Sequence, residues 1–170
     1  MLSNDVRRVA VEAPNGGEAG VRRLVVAFDG SPGAWAALER AIEIAVSNRA
    51  LLTIAAVVEE PRFLWQGPGA MGVPYTRESI RRELEREMTR HLANARDEVP
   101  AAVSVTTQLL RGRAAKVLAT FAEERGYDLI VTGPRPTGRL SRLLRASVTH
   151  KLLSCGHTSV LAVKDPSPRA

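Results

Sequence analysis

The sequence predicts an α/β fold in which one open, parallel, five-stranded sheet carries helices on both faces. Three observations lead there: five short apolar runs of strand length, helical stripes of apolar residues between them, and a length of 170 residues, enough for one substantial core and too short for two ordinary domains. Strands that alternate with helices pair in parallel through right-handed crossovers, which places helices on both faces.

Residues 1–20 contain Pro14, Asn15, Gly16, Gly17 and Gly20 without sustained apolar periodicity. Ordering them would gain little burial against the entropy lost, so they read as a flexible tail. The domain is expected over 21–164, and 165–170, with two prolines, as a second short tail. Leu24 to Phe28 is a continuous apolar run of the kind a strand buried on both faces shows. Gly33 to Ser47 follows as a helix with Ala34, Leu38, Ala41, Ile42 and Ala45 on one stripe; Ser31 supplies an acceptor for orphan amides and Pro32 a preset φ. Leu51 to Val58 is the second strand, and Glu59 to Tyr75, broken by Pro61, Gly67, Pro68, Gly69, Gly72 and Pro74, a long surface loop. Thr76 caps a helix from Arg77 to Glu98, with Ile80, Leu84, Met88, Leu92 and Ala95 on its apolar stripe. The third strand is expected over Val103 to Leu110, a helix over Ala114 to Arg125 with Val117, Leu118 and Phe121 inward, and the fourth strand over Leu129 to Thr132. A last helix, roughly Leu140 to Ser154, leads to the fifth strand, Ser159 to Val163.

Several function classes fall away. No apolar run approaches the roughly 20 residues that cross a bilayer, and no apolar stretch follows the basic residues of Met1 to Arg23 as in a secretory signal, so the expected location is the cytoplasm, with no membrane partner. The single cysteine, Cys155, excludes an internal disulfide, and His91, His150 and His157 show no metal-ligand spacing, so no metal site is expected. The net charge of +6 comes mainly from arginine, with Lys116, Lys151 and Lys164 the only lysines. It reads either as the codon usage of a GC-rich genome or as an attraction to phosphates, and its location has to decide.

No complete catalytic set is visible. Ser31 reads as a cap because no histidine or second acid is placed to activate it; His150 and His157 stand alone; Cys155 reads as a small buried residue. Asp29, at a strand's end, is either a ligand contact or a turn residue before Ser31. Neither the P-loop pattern nor a dinucleotide-binding glycine pattern after the first strand is present. A binding protein is therefore expected, not an enzyme, although weak hydrolytic activity is compatible with these residues.

Three separated segments, Val25-Val26-Ala27-Phe28-Asp29-Gly30-Ser31, Asp128-Leu129-Ile130-Val131-Thr132-Gly133 and Thr158-Ser159-Val160-Leu161-Ala162-Val163, occur in an order and spacing that resemble the universal stress protein family. Leu110-Arg111-Gly112 and Ala122-Glu123-Glu124-Arg125-Gly126 add to the resemblance, which covers roughly Arg22 to Lys164. It implies the strand order 3-2-1-4-5, a regulatory role in the stress response, and a crevice beyond the carboxyl ends of strands 1 and 4 where nucleotide-binding members hold ATP. Carried over by position, the implied contacts are Asp29, Val57, Gly133, Ser147 and the neighbouring Val148, with Mg²⁺ only where ATP binds. Phe63 and Trp65 of the long loop either stack on an adenine ring or pack on a partner chain.

The phosphate loop departs from the family. Nucleotide-binding members carry Gly-x2-Gly-x9-Gly-(Ser/Thr), whose glycines let backbone amides approach phosphate oxygens. Here the register reads Gly133, Pro136, Ala146, Ser147, so two of its three glycines are replaced, although Gly138 lies close by. Arg135, Arg139, Arg142, Arg145 and Lys151 crowd the same region with no acid between Thr132 and Leu152. Arg135 and Arg139 could supply the lost phosphate donors. The alternatives are a solvated basic face, a non-nucleotide-binding dimeric interaction module, and a polyanion binder using 135–151, with nucleic acid not expected. In the strand order that the resemblance implies, strand 158–163 lies at an open edge with apolar or β-favouring side chains, and a homodimer through it is expected.

Overall fold

The computed structural model of the chain describes residues 20–59, 77–133, 148–155 and 157–163. Its elements, in chain order, are β1 (Arg23–Ala27), α1 (Pro32–Asn48), β2 (Leu51–Val58), α2 (Arg77–Asp97), β3 (Val105–Arg111), α3 (Ala114–Glu124), β4 (Leu129–Thr132), α4 (Val148–Cys155) and β5 (Ser159–Ala162). The five strands form one parallel sheet in the order β3-β2-β1-β4-β5, as the family resemblance implied.

Successive residues of the central strands face opposite sides, and both sides are buried. Leu24 and Val26 of β1 pack with Leu52, Ile54 and Val131 beneath Leu38 and Ala41 of α1 and Leu92 of α2. Val25, between them, joins Ala55 and Ile130 beneath Leu118 and Ala122 of α3 and Leu152 of α4. Helices α1 and α2 thus cover one face, and α3 and α4 the other. Alternation of this kind explains why β1, β2 and β4 read as continuous apolar runs.

The third strand differs from its expected bounds. Val103 is buried, but its amide donates to the Pro100 carbonyl in a turn, and β3 begins two positions later, at Val105. Its alternation of half-buried and exposed residues is that of a sheet edge covered mainly on one side. The last helix was expected from Leu140; its described part is Val148–Cys155, and the upstream turns lie outside the described residues, as do both expected tails apart from Gly20, nearly all of the long loop, and the Thr76 cap.

Among the described residues two polar side chains are buried, Thr53 and Thr132. The Thr53 hydroxyl bridges the Thr106 hydroxyl at 2.9 Å and the Tyr127 hydroxyl at 2.7 Å. One hydroxyl can donate to one neighbour and accept from the other, which satisfies the buried oxygen. Thr53→Val keeps the shape and removes that link, leaving Tyr127 without its inner partner. Urea unfolding of this variant is expected to show a loss of about 1 to 3 kcal/mol; an unchanged midpoint would mean that Tyr127 is already solvated.

Candidate functional site

The chain leaves β1 toward β2 and leaves β4 toward β5, so a crevice opens between them at the carboxyl ends of the strands. Asp29 follows β1, Val57 stands one residue before the end of β2, Gly133 follows β4 and Val148 opens α4. Four of the residues named from the sequence are therefore brought to this end of the sheet. Val57 and Val148 are half-buried and, like Ala27 and Leu110, pack against the α3–α4 core.

The β1–α1 turn is fixed by two side chains. The Asp29 carboxylate is exposed, and its Oδ1 accepts from the Ser31 amide at 3.1 Å. Ser31 in turn accepts from the Ala34 amide through Oγ at 3.2 Å, with extended backbone at φ −70° and ψ 157°, and Pro32 opens the helix. Ser31 is the helix cap the sequence indicated. The turn role of Asp29 is also present, and it engages Oδ1, leaving Oδ2 with no hydrogen-bond partner among the described residues.

Gly133 has a packing role that its place in the phosphate loop did not suggest. A Cβ built on it would stand 1.8 Å from the Gly33 carbonyl oxygen, 2.3 Å from the Gly33 carbonyl carbon and 2.9 Å from the Ala34 amide nitrogen. The end of β4 and the first turn of α1 therefore meet backbone to backbone. Without a side chain at 133, α1 can sit where its capped N-terminus borders the crevice beside Asp29.

Arg135, Gly138, Arg139 and Ser147, together with Pro136, Ala146, Arg142, Arg145, Phe63 and Trp65, lie outside the described residues, as does the Cys155 side chain. Lys151, the last cation of that basic segment, is exposed.

Two residues near this end of the sheet were not singled out from the sequence. Glu59, one residue beyond β2, accepts from the Ala114 amide at 2.8 Å and so caps α3, whose own N-cap residue, Arg113, makes no side-chain cap. His91 of α2 lies against Gly30 in the β1–α1 turn. Both contacts join residues far apart in the chain, and no local pattern signals them. Farther out, Arg111 at the end of β3 donates to Glu85 of α2 at 2.8 Å and holds that carboxyl below the usual range. At the opposite end of the sheet Glu123 is lowered likewise by the His157 amide, 2.9 Å away, and by its ring.

The sequence profile of the universal stress protein family matches residues 20–164. The chain belongs to this family. Universal stress protein YxiE of Bacillus subtilis is 30% identical over 147 residues, spanning 84% of this chain and 98% of its own. Among solved structures, a universal stress protein family member from Burkholderia pseudomallei superposes with a TM-score of 0.67 at 26% identity, covering 86% of this chain and 98% of that one. Another, a universal stress protein in complex with cAMP, has a TM-score of 0.61 at 25% identity with the same coverages. The fold and a universal stress protein-like role follow from this membership. Among the described residues, no helix is long and apolar enough to cross a membrane, and no group of three or more His, Cys, Asp or Glu could hold a metal ion.

Proposed function

We propose that this universal stress protein is a regulatory binding protein that takes an adenine nucleotide, ATP in the first instance, into the crevice between β1 and β4. The observation that carries the reading is the convergence of Asp29, Val57, Gly133 and Val148 at the carboxyl ends of the strands. Apolar side chains with a polar group close by are what a purine nucleoside requires. Val57 and Val148 would lie under the base, and Asp29 Oδ2 would accept from a ribose hydroxyl. A family member of the same fold, 25% identical, forms a complex with cAMP, which supports an adenine nucleotide as the ligand class. Arg135, Gly138, Arg139 and Ser147 would contribute on the phosphate side, and Mg²⁺ would enter only with the triphosphate.

In this reading the output is binding and assembly in the cytoplasm, not turnover, and the assembly is a homodimer through β5. Val160, Leu161 and Val163 are only half-buried in the single chain, and Leu153 of the adjoining α4 is 57% exposed. That leaves apolar surface beside an open strand edge.

Mass spectrometry of the small molecules released from freshly purified protein tests the ligand: an adenine nucleotide in stoichiometric amount is expected, and a protein that releases none and gains none on incubation with ATP or cAMP would refute it. The altered loop yields its own prediction. Pro136→Gly with Ala146→Gly restores an amide donor and removes a methyl group, so ATP affinity measured by calorimetry should rise by about tenfold, near the 1.4 kcal/mol of one added hydrogen bond. Unchanged affinity in a folded variant would show that phosphate is held by other groups.

A further inference from the structure

The β1–α1 turn is braced from outside its own segment. Gly30 has φ 77°, and a Cβ on it would stand 1.9 Å from Nδ1, 2.2 Å from Cε1 and 2.9 Å from Cγ of His91. The edge of the imidazole therefore lies on the Gly30 α-carbon. The helix that carries the ring is seated on the core by Leu92 at 5% and Ala95 at 0% exposure and by Met88 packed against the same core. His91 itself is one-third exposed, with Nε2 3.8 Å from Glu87 Oε1. Gly30 lies between Asp29 and Ser31, the two residues joined by the carboxylate-to-amide bond at the rim of the crevice.

We propose that His91 is a positioning residue for the ligand crevice: its ring, carried on α2, holds the Gly30 turn and through it the place of the Asp29 carboxylate. The inference rests on the reading that Asp29 contacts a nucleotide. The physical ground is that glycine with a positive φ has the widest backbone freedom of any residue, so a turn built on it stays in one conformation only if its surroundings impose it. Here the surroundings on the α2 side are the His91 ring. Removing it opens space beside the most permissive residue of the turn, and the Asp29–Ser31 bond loses its support. The same contact makes α2 sensitive to the state of the crevice, since a ligand that fixes Asp29 also fixes the surface on which His91 rests.

The full-length chain tests this by NMR and calorimetry. In the wild type, nuclear Overhauser contacts between the His91 ring protons and the Gly30 α-protons are expected; their absence would overturn the proposal without any variant. In His91→Ala the Ser31 amide should exchange with solvent at least about tenfold faster, since the local opening equilibrium that protects it shifts, and ATP affinity should fall on the order of tenfold, as when an outer partner of a ligand group is lost. His91→Phe keeps a flat ring over Gly30 and should restore both, which a general loss of stability in α2 would not predict. A folded His91→Ala variant with wild-type Ser31 exchange overturns the positioning role. ATP binding that is intact in that variant also overturns it while leaving the nucleotide reading in place. Faster Ser31 exchange in a protein that never binds a nucleotide supports the brace and refutes the nucleotide reading alone.

Discussion

Gly133→Ala is expected to destabilise the protein by about 3 kcal/mol, the upper range for forcing a methyl group into filled space, and to abolish ligand binding in whatever fraction remains folded. The added carbon would meet the Gly33 carbonyl at 1.8 Å, and backbone cannot rotate away as a side chain would. Relief requires moving the first turn of α1, which is tied to β1 by the Ser31 cap and by Phe28, whose ring packs edge-on against Trp35 at 4.9 Å between centroids. The displaced turn carries Asp29 with it, so stability and binding should fall together. Urea unfolding followed by circular dichroism measures the first and calorimetry the second. A loss under about 0.5 kcal/mol, the range of neutral surface changes, would mean that α1 does not approach β4 as closely as described.

Ala162→Pro is expected to turn the proposed homodimer into a folded monomer. The choice of residue depends on which amides of β5 face outward. Val163 donates its amide inward to the Thr132 carbonyl at 2.8 Å. Amide direction alternates along a strand, so Leu161 also points toward β4, while Val160 and Ala162 point to the open edge. Proline is tolerated on an edge strand where its missing amide would face solvent, and it removes the donor a partner strand would need. Leu161→Pro would instead break the β4–β5 ladder and damage the fold. Light scattering at micromolar concentration should give a dimer for the wild type and a monomer for Ala162→Pro with an unchanged far-ultraviolet spectrum. A variant that stays dimeric would place the interface elsewhere, and a monomeric wild type would remove it.

How legible the fold was in the sequence depended on how far apart the deciding residues lie. The apolar runs at Leu24, Leu51 and Leu129 mark strands because both faces of a central parallel strand are buried, and Ser31-Pro32 marks the start of α1 because the capping bond spans only three residues. β3 was placed two residues early because Val103 is buried in a turn, and apolar burial alone does not separate a turn residue from a strand residue. Strand order was not contained in any local pattern and came only with the family motifs.

The site divides in the same way. Asp29, Val57, Gly133 and Val148 lie at the carboxyl ends because each stands at or within two residues of a strand or helix end. The contacts that shape the site were not legible. Gly133 against Gly33, His91 against Gly30 and Glu59 on the Ala114 amide 55 residues away each join two segments that become neighbours only once the sheet has formed. A glycine in a loop motif carries no mark of whether it makes room for a ligand or for another strand of backbone.

The claim on which the rest depends is that the Asp29 carboxylate holds a nucleotide. Calorimetric titration of ATP into the wild type and into Asp29→Asn tests it most directly, because asparagine keeps an oxygen to accept from the Ser31 amide, preserves the turn, and removes only the charged acceptor. The account predicts saturable binding in the wild type and a loss on the order of tenfold or more in the variant, as for removal of a charged hydrogen-bond partner. Binding of equal strength in both proteins, or none in the wild type, would contradict it.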